Sequence, residues 1–414
     1  MLGVSITGYM YSTYAAFFYN DKLGLSLSAI AVGSVFFAVW DAFNDPISGF
    51  LSDRTRTRIG RRKPWLLAGA PLFMAASIIF FNPPRALGVG ITLAVYYTIF
   101  LMLTETAGTI VNVNYHSLLP ELFRETGLRN KANSIRQALQ LVGMIIGVSV
   151  SPLMADAIGY EATAVIMALL GGSLIIYSVL GCKERPEFSE TPQPKLLASL
   201  KELAENRNFW CVSLTHFFYQ ATSGLLLAGI PFFNKFALNQ PDSSTAVLTG
   251  AVFVTAIPFI YVWYKVIGRF GPLNAWRLAL FWLGLSVVPM FFVKGLLSAS
   301  LAGALVGIGI AGVTASMDMV NSELIEEDAE KHGVRREATF FAAVSFIIRL
   351  SGLVRSGVFM LLALFFAFES TANPGPDPAA ATRFMITVFP VILMALSVVF
   401  SFFVRLSAPS ATKE

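Results

Sequence analysis

Long apolar runs, broken by charged residues, proline and glycine, dominate the chain. They predict helices near 3–19, 29–52, 64–82, 88–118, 132–155 and 160–181, and a second set near 208–233, 246–266, 273–294, 298–322, 338–366 and 381–405. About 20 apolar residues suffice for a helix to cross a bilayer. Strands of membrane barrels alternate polar and apolar residues, and these runs do not. The pattern therefore predicts an all-α integral membrane protein with twelve transmembrane helices.

The longest polar stretch between predicted helices, 182–207, lies near the middle of the chain. We interpret it as a cytoplasmic linker between two six-helix bundles, 1–181 and 208–414. A glycine and a tryptophan recur at one spacing after the second and eighth helices, at 60–65 and 271–276. This weak match suggests two parallel repeats.

Composition excludes a soluble protein. Of the 414 residues 55% are hydrophobic and 13% charged, whereas soluble domains carry about 25% charged residues. Of the 30 Lys and Arg residues, 22 fall at one face of the predicted bundle and five at the other. Because basic loops stay in the cytoplasm, we expect both termini there, in a multi-pass protein of the inner or plasma membrane.

The net charge of +5 follows from this topology and needs no nucleic-acid partner. The expected partners are the lipid bilayer and a small-molecule solute, and we expect a monomer. The three histidines and two cysteines show no metal-ligand spacing. We therefore expect no disulfide framework and no resident cofactor.

The second helix carries two carboxylates at its centre. Asp41, Asn44 and Asp45 are spaced i, i+3, i+4 and share one helix face. An acid at mid-membrane costs about 2.5–3.5 kcal/mol on insertion scales. Two acids one turn apart also repel, so one is protonated or a cation lies between them. A structural hydrogen-bond cluster between helices is the alternative.

The fourth helix presents a matching polar stripe. Glu105, Thr109, Asn112 and His116 fall on a single face. At 1.5 Å per residue, Thr109 and Asp41 lie at a similar depth, roughly 15 Å from the cytoplasmic surface.

The eleventh helix places Arg349 at that same depth. Asp41, Asn44, Asp45 and Thr109 offer only oxygen ligands when Asn44 presents its carbonyl, and hard monovalent cations prefer oxygen. The pattern predicts a Na⁺ site. With Arg349 the group carries one net negative charge, which one Na⁺ or H⁺ neutralises; Arg349 as a structural partner of one carboxylate is the alternative.

Charged residues cluster at two cytoplasmic helix ends. Asp53, Arg54 and Arg61 follow the second helix, and Asp318 and Arg335 occupy the corresponding region of the second half. Ion pairs in such clusters can close an inner gate. The same charges also set the topology.

Three stretches resemble the glycoside-pentoside-hexuronide:cation symporters, a branch of the major facilitator superfamily that includes melibiose permease and sodium-dependent lysophospholipid symporters. They are 40–46 continuing through 53–65, then 117–120, and 333–337, and the resemblance spans nearly the whole chain. It implies the major facilitator fold, with two six-helix halves that rock about a central site.

The resemblance also assigns roles. It places the family's Na⁺ site on Asp41, Asn44, Asp45 and Thr109. Arg349 takes the place of a lysine that couples the cation and substrate sites, and Arg136 matches an arginine near the substrate.

The galactoside contacts of the family match less well. Its acid on helix four is Asn112 here, the following tryptophan is His116, and its helix-one acid falls near Ser5. Glu105 has no counterpart, and it either accepts from the solute or pairs with Arg136 or Arg355.

These features predict a Na⁺-coupled symporter, with H⁺ or Li⁺ as other possible coupling ions, for a small organic solute such as a sugar or glycoside. A lysophospholipid or other amphiphile is the alternative substrate. An intramembrane aspartyl enzyme fits worse, because one helix carries both acids. Groups available to the solute are Tyr11, Glu105, Asn112, His116, Arg136, His216, Tyr219 and Gln220.

Overall fold

The computed structural model describes residues 1–122, 126–182, 205–332 and 337–405. Within these ranges the long segments are helical, and β-type pairing is limited to isolated bridges from Thr57 to Gly60 and from Ser370 to Asn373. The all-α prediction is therefore confirmed.

The first half of the chain contains six long helices, some of which end in a wider π-helical turn. They are α1 Leu2–Phe17 with a π turn at Phe18–Lys22, α2 Leu27–Arg54, α3 Lys63–Phe81, a 3₁₀ turn at Arg85–Leu87, α4 Ile91–Leu122, α5 Thr126–Ile145 with a π turn at Ile146–Val150, and α6 Ser151–Gly181.

The described part of the second half contains eight α-helices, from six to 37 residues long. They are α7 Arg207–Phe232 with a π turn at Phe233–Ala237, a 3₁₀ turn at Asp242–Ser244, α8 Thr245–Phe270, α9 Pro272–Val287 with a 3₁₀ turn at Val288–Phe291, α10 Leu296–His332, α11 Glu337–Arg349, α12 Gly352–Phe366, α13 Pro378–Arg383 with a π turn at Phe384–Val388, and α14 Phe389–Phe403.

Nine segments of the described chain are long and apolar enough to cross a membrane. One of them, Lys131–Gly181, has 51 residues, about twice the length that a single crossing needs. Gly159 interrupts it, with φ +85° where helical residues have negative φ. This glycine separates the predicted fifth and sixth helices without a loop, and the described helices are consistent with twelve crossings.

The predicted eleventh helix is broken, whereas the predicted twelfth is continuous and contains a π turn at Phe384–Val388. In the eleventh, α11 ends at Arg349 and α12 starts at Gly352, and short i to i+3 bonds such as Ser351 N to Ile348 O (2.9 Å) bridge the break. The break falls within the segment Phe340–Phe366, which is long and apolar enough as a whole for one crossing, so the sequence predicted a single helix there.

The chain forms two compact units. The first comprises Met1–Thr191, Leu227–Val247 and Arg355–Ala381, and the second comprises Pro192–Leu226, Leu248–Val354 and Thr382–Glu414. The first unit joins the predicted N-terminal half with two segments of the predicted C-terminal half, whereas the second contains only residues of the predicted linker and C-terminal half. The predicted division into 1–181, 182–207 and 208–414 concerns topology and stays a prediction; most of the linker lies outside the described residues.

In the first unit, small residues let helices approach closely. A Cβ on Gly3 of α1 would collide with the backbone of Gly171 on α6, and one on Gly147 would collide with the Ile6 carbonyl of α1. Lipid chains are as apolar as the side chains, so close packing is what favours helix association in a bilayer. α1 is therefore fixed against both α5 and α6.

In the second unit, α9 lies against α10 and α14. A Cβ on Gly309 would come 2.8 Å from the Cα of Leu283. Arg277 of α9 donates to the carbonyls of Ser401 (3.1 Å) and Val404 (2.7 Å), which satisfies carbonyls at the carboxyl end of α14.

Candidate functional site

The centre of α2 carries the predicted cation ligands. Position 41 lies midway along this 28-residue helix. Asp41, Asn44 and Thr109 are 7%, 2% and 3% exposed, and Asp45 is half-buried. Three of the four predicted ligands are thus buried, and the fourth, Asp45, is partly exposed.

Pro46 adds a further oxygen to this turn of α2. It lies inside the helix and has no N–H to donate to the carbonyl of Ala42, four residues earlier. That carbonyl belongs to the turn between Asp41 and Asp45, and Ala42 is fully buried. The backbone here has an acceptor that the helix itself leaves free.

Contacts between α2 and α4 fix the level of Thr109. The two helices run parallel: Ser34 lies beside Tyr97 (O to O 3.2 Å), and Trp40 Nε1 donates to Thr106 Oγ1 at 2.9 Å. Further along, Gly49 faces Val113. Thr109 lies between the last two contacts, at the level of Asn44 and Asp45.

The amide nitrogen of Asn44 is buried and has no hydrogen-bond partner among the described residues. An unsatisfied buried donor costs about 1–3 kcal/mol. The amide can reorient to present either its nitrogen or its oxygen. Turning the Asn44 amide toward a cation would therefore break no hydrogen bond of its nitrogen.

Arg349, the predicted coupling residue, is the last residue of α11 and is half-buried. A guanidinium at a helix carboxyl end interacts favourably with the helix dipole. Arg349 belongs to the second unit and the carboxylates to the first, and its coupling role stays a prediction.

The predicted solute-binding residues of the first unit differ in burial and in their hydrogen bonds within the protein. The hydroxyl of Tyr11 donates to the Leu101 carbonyl at 3.2 Å. Arg136 donates to Asn133 Oδ1 (2.9 Å) and Gln140 Oε1 (3.3 Å), within its own helix. Glu105 and Asn112 are half-buried, and His116 is exposed.

In the second unit, Gln220 is exposed, whereas Tyr219 is buried beside Ser223 and Thr314. His216 is buried against Trp276, with ring centroids 5.4 Å apart at 87°. The solute-binding roles of these groups stay predictions.

The residues of the predicted inner gate are partly described. Arg54 lies 3.9 Å from the centre of the Phe50 ring, Arg61 is half-buried and Asp318 is exposed. The side chain of Asp53 and all of Arg335 lie outside the described residues.

Arg62, next to the predicted gate residue Arg61, is buried. The sequence pattern did not single it out. Arg62 Nη1 lies 2.5 Å from Ser52 Oγ and ties the end of α2 to the start of α3. Six basic residues within ten positions gave no signal for which of them turns inward.

A second cluster that the sequence reading missed lies at the opposite end of α2. Asp21 and Lys22 at the end of α1 form ion pairs with Lys235 and Asp242 after α7. A local signal was present: each helix ends in two phenylalanines followed by an asparagine and a lysine, at 17–22 and 232–235.

Comparison with known proteins identifies the family. The sequence profile of MFS/sugar transport proteins matches residues 1–408. The chain is 27% identical, over 94% of its length and 86% of the relative's, to the uncharacterized symporter YnaJ of Bacillus subtilis (strain 168). It is 24% identical to the putative glycoside/cation symporter YagG of Escherichia coli (strain K12), over 92% and 84% of the two chains.

A vertebrate relative is similar to the same degree. The chain is 24% identical to sodium-dependent lysophosphatidylcholine symporter 1 of Mus musculus, over 86% and 74% of the two chains. The crystal structure of the nucleoside transporter NupG superimposes with a TM-score of 0.70 at 12% identity, over 98% of this chain and 97% of that one.

These relatives are transporters, so the intramembrane-enzyme alternative is excluded. The similarity to NupG supports the major facilitator fold, and the named symporters confirm the resemblance to glycoside-pentoside-hexuronide:cation symporters. The chain therefore belongs to the MFS/sugar transport protein family and is a multi-pass membrane symporter of small solutes.

Proposed function

We propose that the chain couples the entry of Na⁺ to the transport of a sugar or glycoside by alternating access. We further propose that it does so in the inner or plasma membrane, with both termini in the cytoplasm. The observation that carries the proposal is the polar turn of α2. Asp41, Asn44 and Asp45 share this turn, and Thr109 of α4 lies at its level.

The chemistry of this turn favours a monovalent cation. Two ionised carboxylates one turn apart repel each other, and a cation between them removes that repulsion. All the candidate ligands are oxygens, including the Ala42 carbonyl that Pro46 leaves free, and hard cations prefer oxygen ligands. The ion is thus proposed as a transported co-substrate, with H⁺ and Li⁺ as alternatives.

A sugar or glycoside is proposed as the solute from the relatives. YagG is described as a putative glycoside/cation symporter, and another relative, 26% identical over 81% of this chain, is the isoprimeverose transporter of Lactiplantibacillus pentosus. The alternative solute is a lysophospholipid, which the similarity to the mouse lysophosphatidylcholine symporter favours.

Uptake into proteoliposomes tests the proposal. We expect an inward Na⁺ gradient to drive uptake of a glycoside, and Asp45→Asn to abolish the Na⁺ stimulation, because this change removes a charged ligand at constant volume. The matched control is Asp156→Asn, which neutralises an exposed acid and should leave the stimulation intact.

Unchanged Na⁺ stimulation in Asp45→Asn would exclude this cation site. Uptake of lysophosphatidylcholine but of no glycoside would replace the proposed solute with the alternative.

A further inference from the structure

The cluster at the ends of α1 and α7 has a geometry suited to a gate. We call it the clasp and define it by Asp21, Lys22, Lys235, Asp242 and Thr371. All five belong to the first compact unit, which includes the segments Leu227–Val247 and Arg355–Ala381. The clasp lies at the start of α2, and the basic loop 54–63 follows the end of this helix, about 42 Å away at 1.5 Å per residue.

Two helix ends of similar construction place the charges. Each ends in a π turn, closed by Leu23 N to Phe18 O (3.3 Å) and by Leu238 N to Phe233 O (3.1 Å). A buried asparagine amide then fixes the chain that leaves each helix. In the first, Asn20 donates to the Leu25 carbonyl at 2.9 Å.

The second helix end repeats this arrangement, with Asn234 donating to the Pro241 carbonyl at 2.8 Å. Because the asparagines hold the chain that follows each π turn, the neighbouring charged side chains have fixed starting points.

The ion pairs of the clasp are reciprocal. Asp21 of the first helix end pairs with Lys235 of the second (2.5 Å), and Lys22 of the first pairs with Asp242 of the second (2.8 Å). Lys22 also lies 3.1 Å from Asp21, and the hydroxyl of Thr371 donates to Asp21. The two negative and two positive charges of the clasp therefore sum to zero.

Burial and exposure are distributed unevenly across these pairs. The side chain of Asp21 is fully buried, while those of Lys22 and Lys235 are 37% and 31% exposed. Burial alone would raise the pKa of Asp21, but the hydrogen bonds from Lys235 and Thr371 and the charge of Lys22 outweigh it and lower that pKa. The carboxylate is thus ionised at neutral pH, and its partners keep access to water.

A layer of phenylalanines lies beneath the ion pairs. Phe17 and Phe232 are in edge contact, with ring centroids 5.2 Å apart at 84°, and Phe232 also contacts Phe368 at 6.2 Å. These rings are almost completely buried. Apolar rings under a charge-balanced lid exclude water and ions from the space between the two helix ends.

Backbone bonds join the segment after α12 to the same place. The Glu369 carbonyl accepts from Asn20 Nδ2 (2.6 Å) and from Leu27 N (2.7 Å). Three stretches of the chain therefore meet at the clasp through polar contacts, which water can replace when the stretches separate.

We propose that the clasp is the outer gate of the carrier, closed in this structure and opened in each transport cycle by separation of the Asp21–Lys235 and Lys22–Asp242 pairs. This inference rests on the proposed alternating-access function and on the cytoplasmic placement of the basic loop. Removing Asp21 leaves two partly exposed lysines that repel each other across the closed clasp, and removing Lys22 leaves the buried Asp21 with one base fewer. Either change raises the free energy of the closed state more than that of the open state, where water solvates the remaining charges.

Labelling of a single cysteine tests the gate without solute or Na⁺. In a background with Cys182 and Cys211 replaced by serine, Gly8→Cys supplies the reporter, since a Cβ at this position of α1 meets nothing within 4 Å. An impermeant maleimide is applied to the outer face of right-side-out vesicles. We expect Asp21→Asn to raise the labelling rate about tenfold, since the loss of about 1.4 kcal/mol from the closed state is a factor of ten in the opening equilibrium.

Two further variants make the result specific. The exchange of Asp21→Lys with Lys235→Asp should bring the rate back toward wild type, and Glu161→Gln, an exposed acid after Gly159, should leave it unchanged. If Asp21→Asn does not fold, Lys22→Gln changes a more exposed partner and should act in the same direction.

Wild-type labelling rates in both Asp21→Asn and Lys22→Gln would overturn the gate. Because labelling needs no solute, this failure is distinguishable from failure of the proposed function, in which labelling responds to the variants but Na⁺-driven uptake is absent.

Discussion

His216 and Asn44 are both buried side chains with ring or amide nitrogens that lack hydrogen-bond partners among the described residues. Asn44 lies between two carboxylates on the same helix, where an ion would give its carbonyl a ligand role. His216 lies against Trp276 with the two ring planes nearly perpendicular. An unsatisfied buried donor costs about 1–3 kcal/mol. At Asn44 a cation-binding role explains this cost, whereas at His216 the surroundings show only packing against an aromatic ring.

We expect His216→Phe to leave the melting temperature of the purified protein unchanged or to raise it. A phenyl ring keeps the contact with Trp276 and removes two unpaired nitrogens, whereas His216→Ala should lower the melting temperature through the cavity that it leaves. Thermal unfolding in detergent measures both. A large fall in Na⁺-driven uptake by a stable His216→Phe protein would instead show that the ring serves the solute.

Among the elements, α1 depends most visibly on close packing. Its face toward α6 carries Gly3, directly against Gly171, whereas Gly8 of the same helix faces open space. A side chain is therefore tolerated at one position and excluded at the other, although both are glycines in one apolar run. The two positions differ because the backbone of α6 lies against Gly3 and no atom lies within 4 Å of a Cβ on Gly8.

We expect Gly3→Ala to destabilise the protein by about 1–3 kcal/mol, the usual cost of overpacking. The added methyl group meets backbone atoms of α6, which move only with their helix. The matched control Gly8→Ala should be neutral or slightly stabilising, because alanine is the better helix former. Equal melting temperatures for the two variants would contradict the close approach of α1 and α6.

At the level of the whole molecule, a symporter must bind its cation and its solute cooperatively. The coupling is reciprocal: if Na⁺ raises the affinity for the solute, the solute raises the affinity for Na⁺ by the same factor, typically about 5–150-fold. Ligand binding to the folded state raises its stability, so both affinities can be read from thermal shifts.

We expect a glycoside that stabilises the wild-type protein to do so more strongly as Na⁺ increases. Arg349→Ala should abolish this mutual enhancement while each ligand alone still shifts the melting temperature, because the coupling residue is lost and the two sites are kept. Titrations of each ligand with and without the other give the factor. An enhancement in Arg349→Ala equal to that of wild type would rule out the coupling role.

The sequence alone predicted the helices and the polar face of α2, because both follow from local properties. Apolar length decides whether a segment can cross a bilayer, and the 3.6-residue repeat decides which side chains share a face. The sequence also predicted a break between the fifth and sixth helices, at 156–159. It did not predict that the single residue Gly159 makes this break without a loop. It did not supply the break after Arg349, although Ser351 and Gly352 are less apolar than the residues before them, because the whole segment Phe340–Phe366 is long and apolar enough for one crossing.

The tertiary structure decided which residues meet. Trp40 and Thr106 set the level of Thr109 beside α2, and Asp21 meets Lys235 across 214 positions of sequence. Whether two distant charges pair depends on how their helices cross and at what depth each ends, and these follow from the packing of small residues along whole helices. Hydropathy contains no such information, so the candidate cation ligands could be predicted from the sequence, while the clasp became visible only in the folded chain.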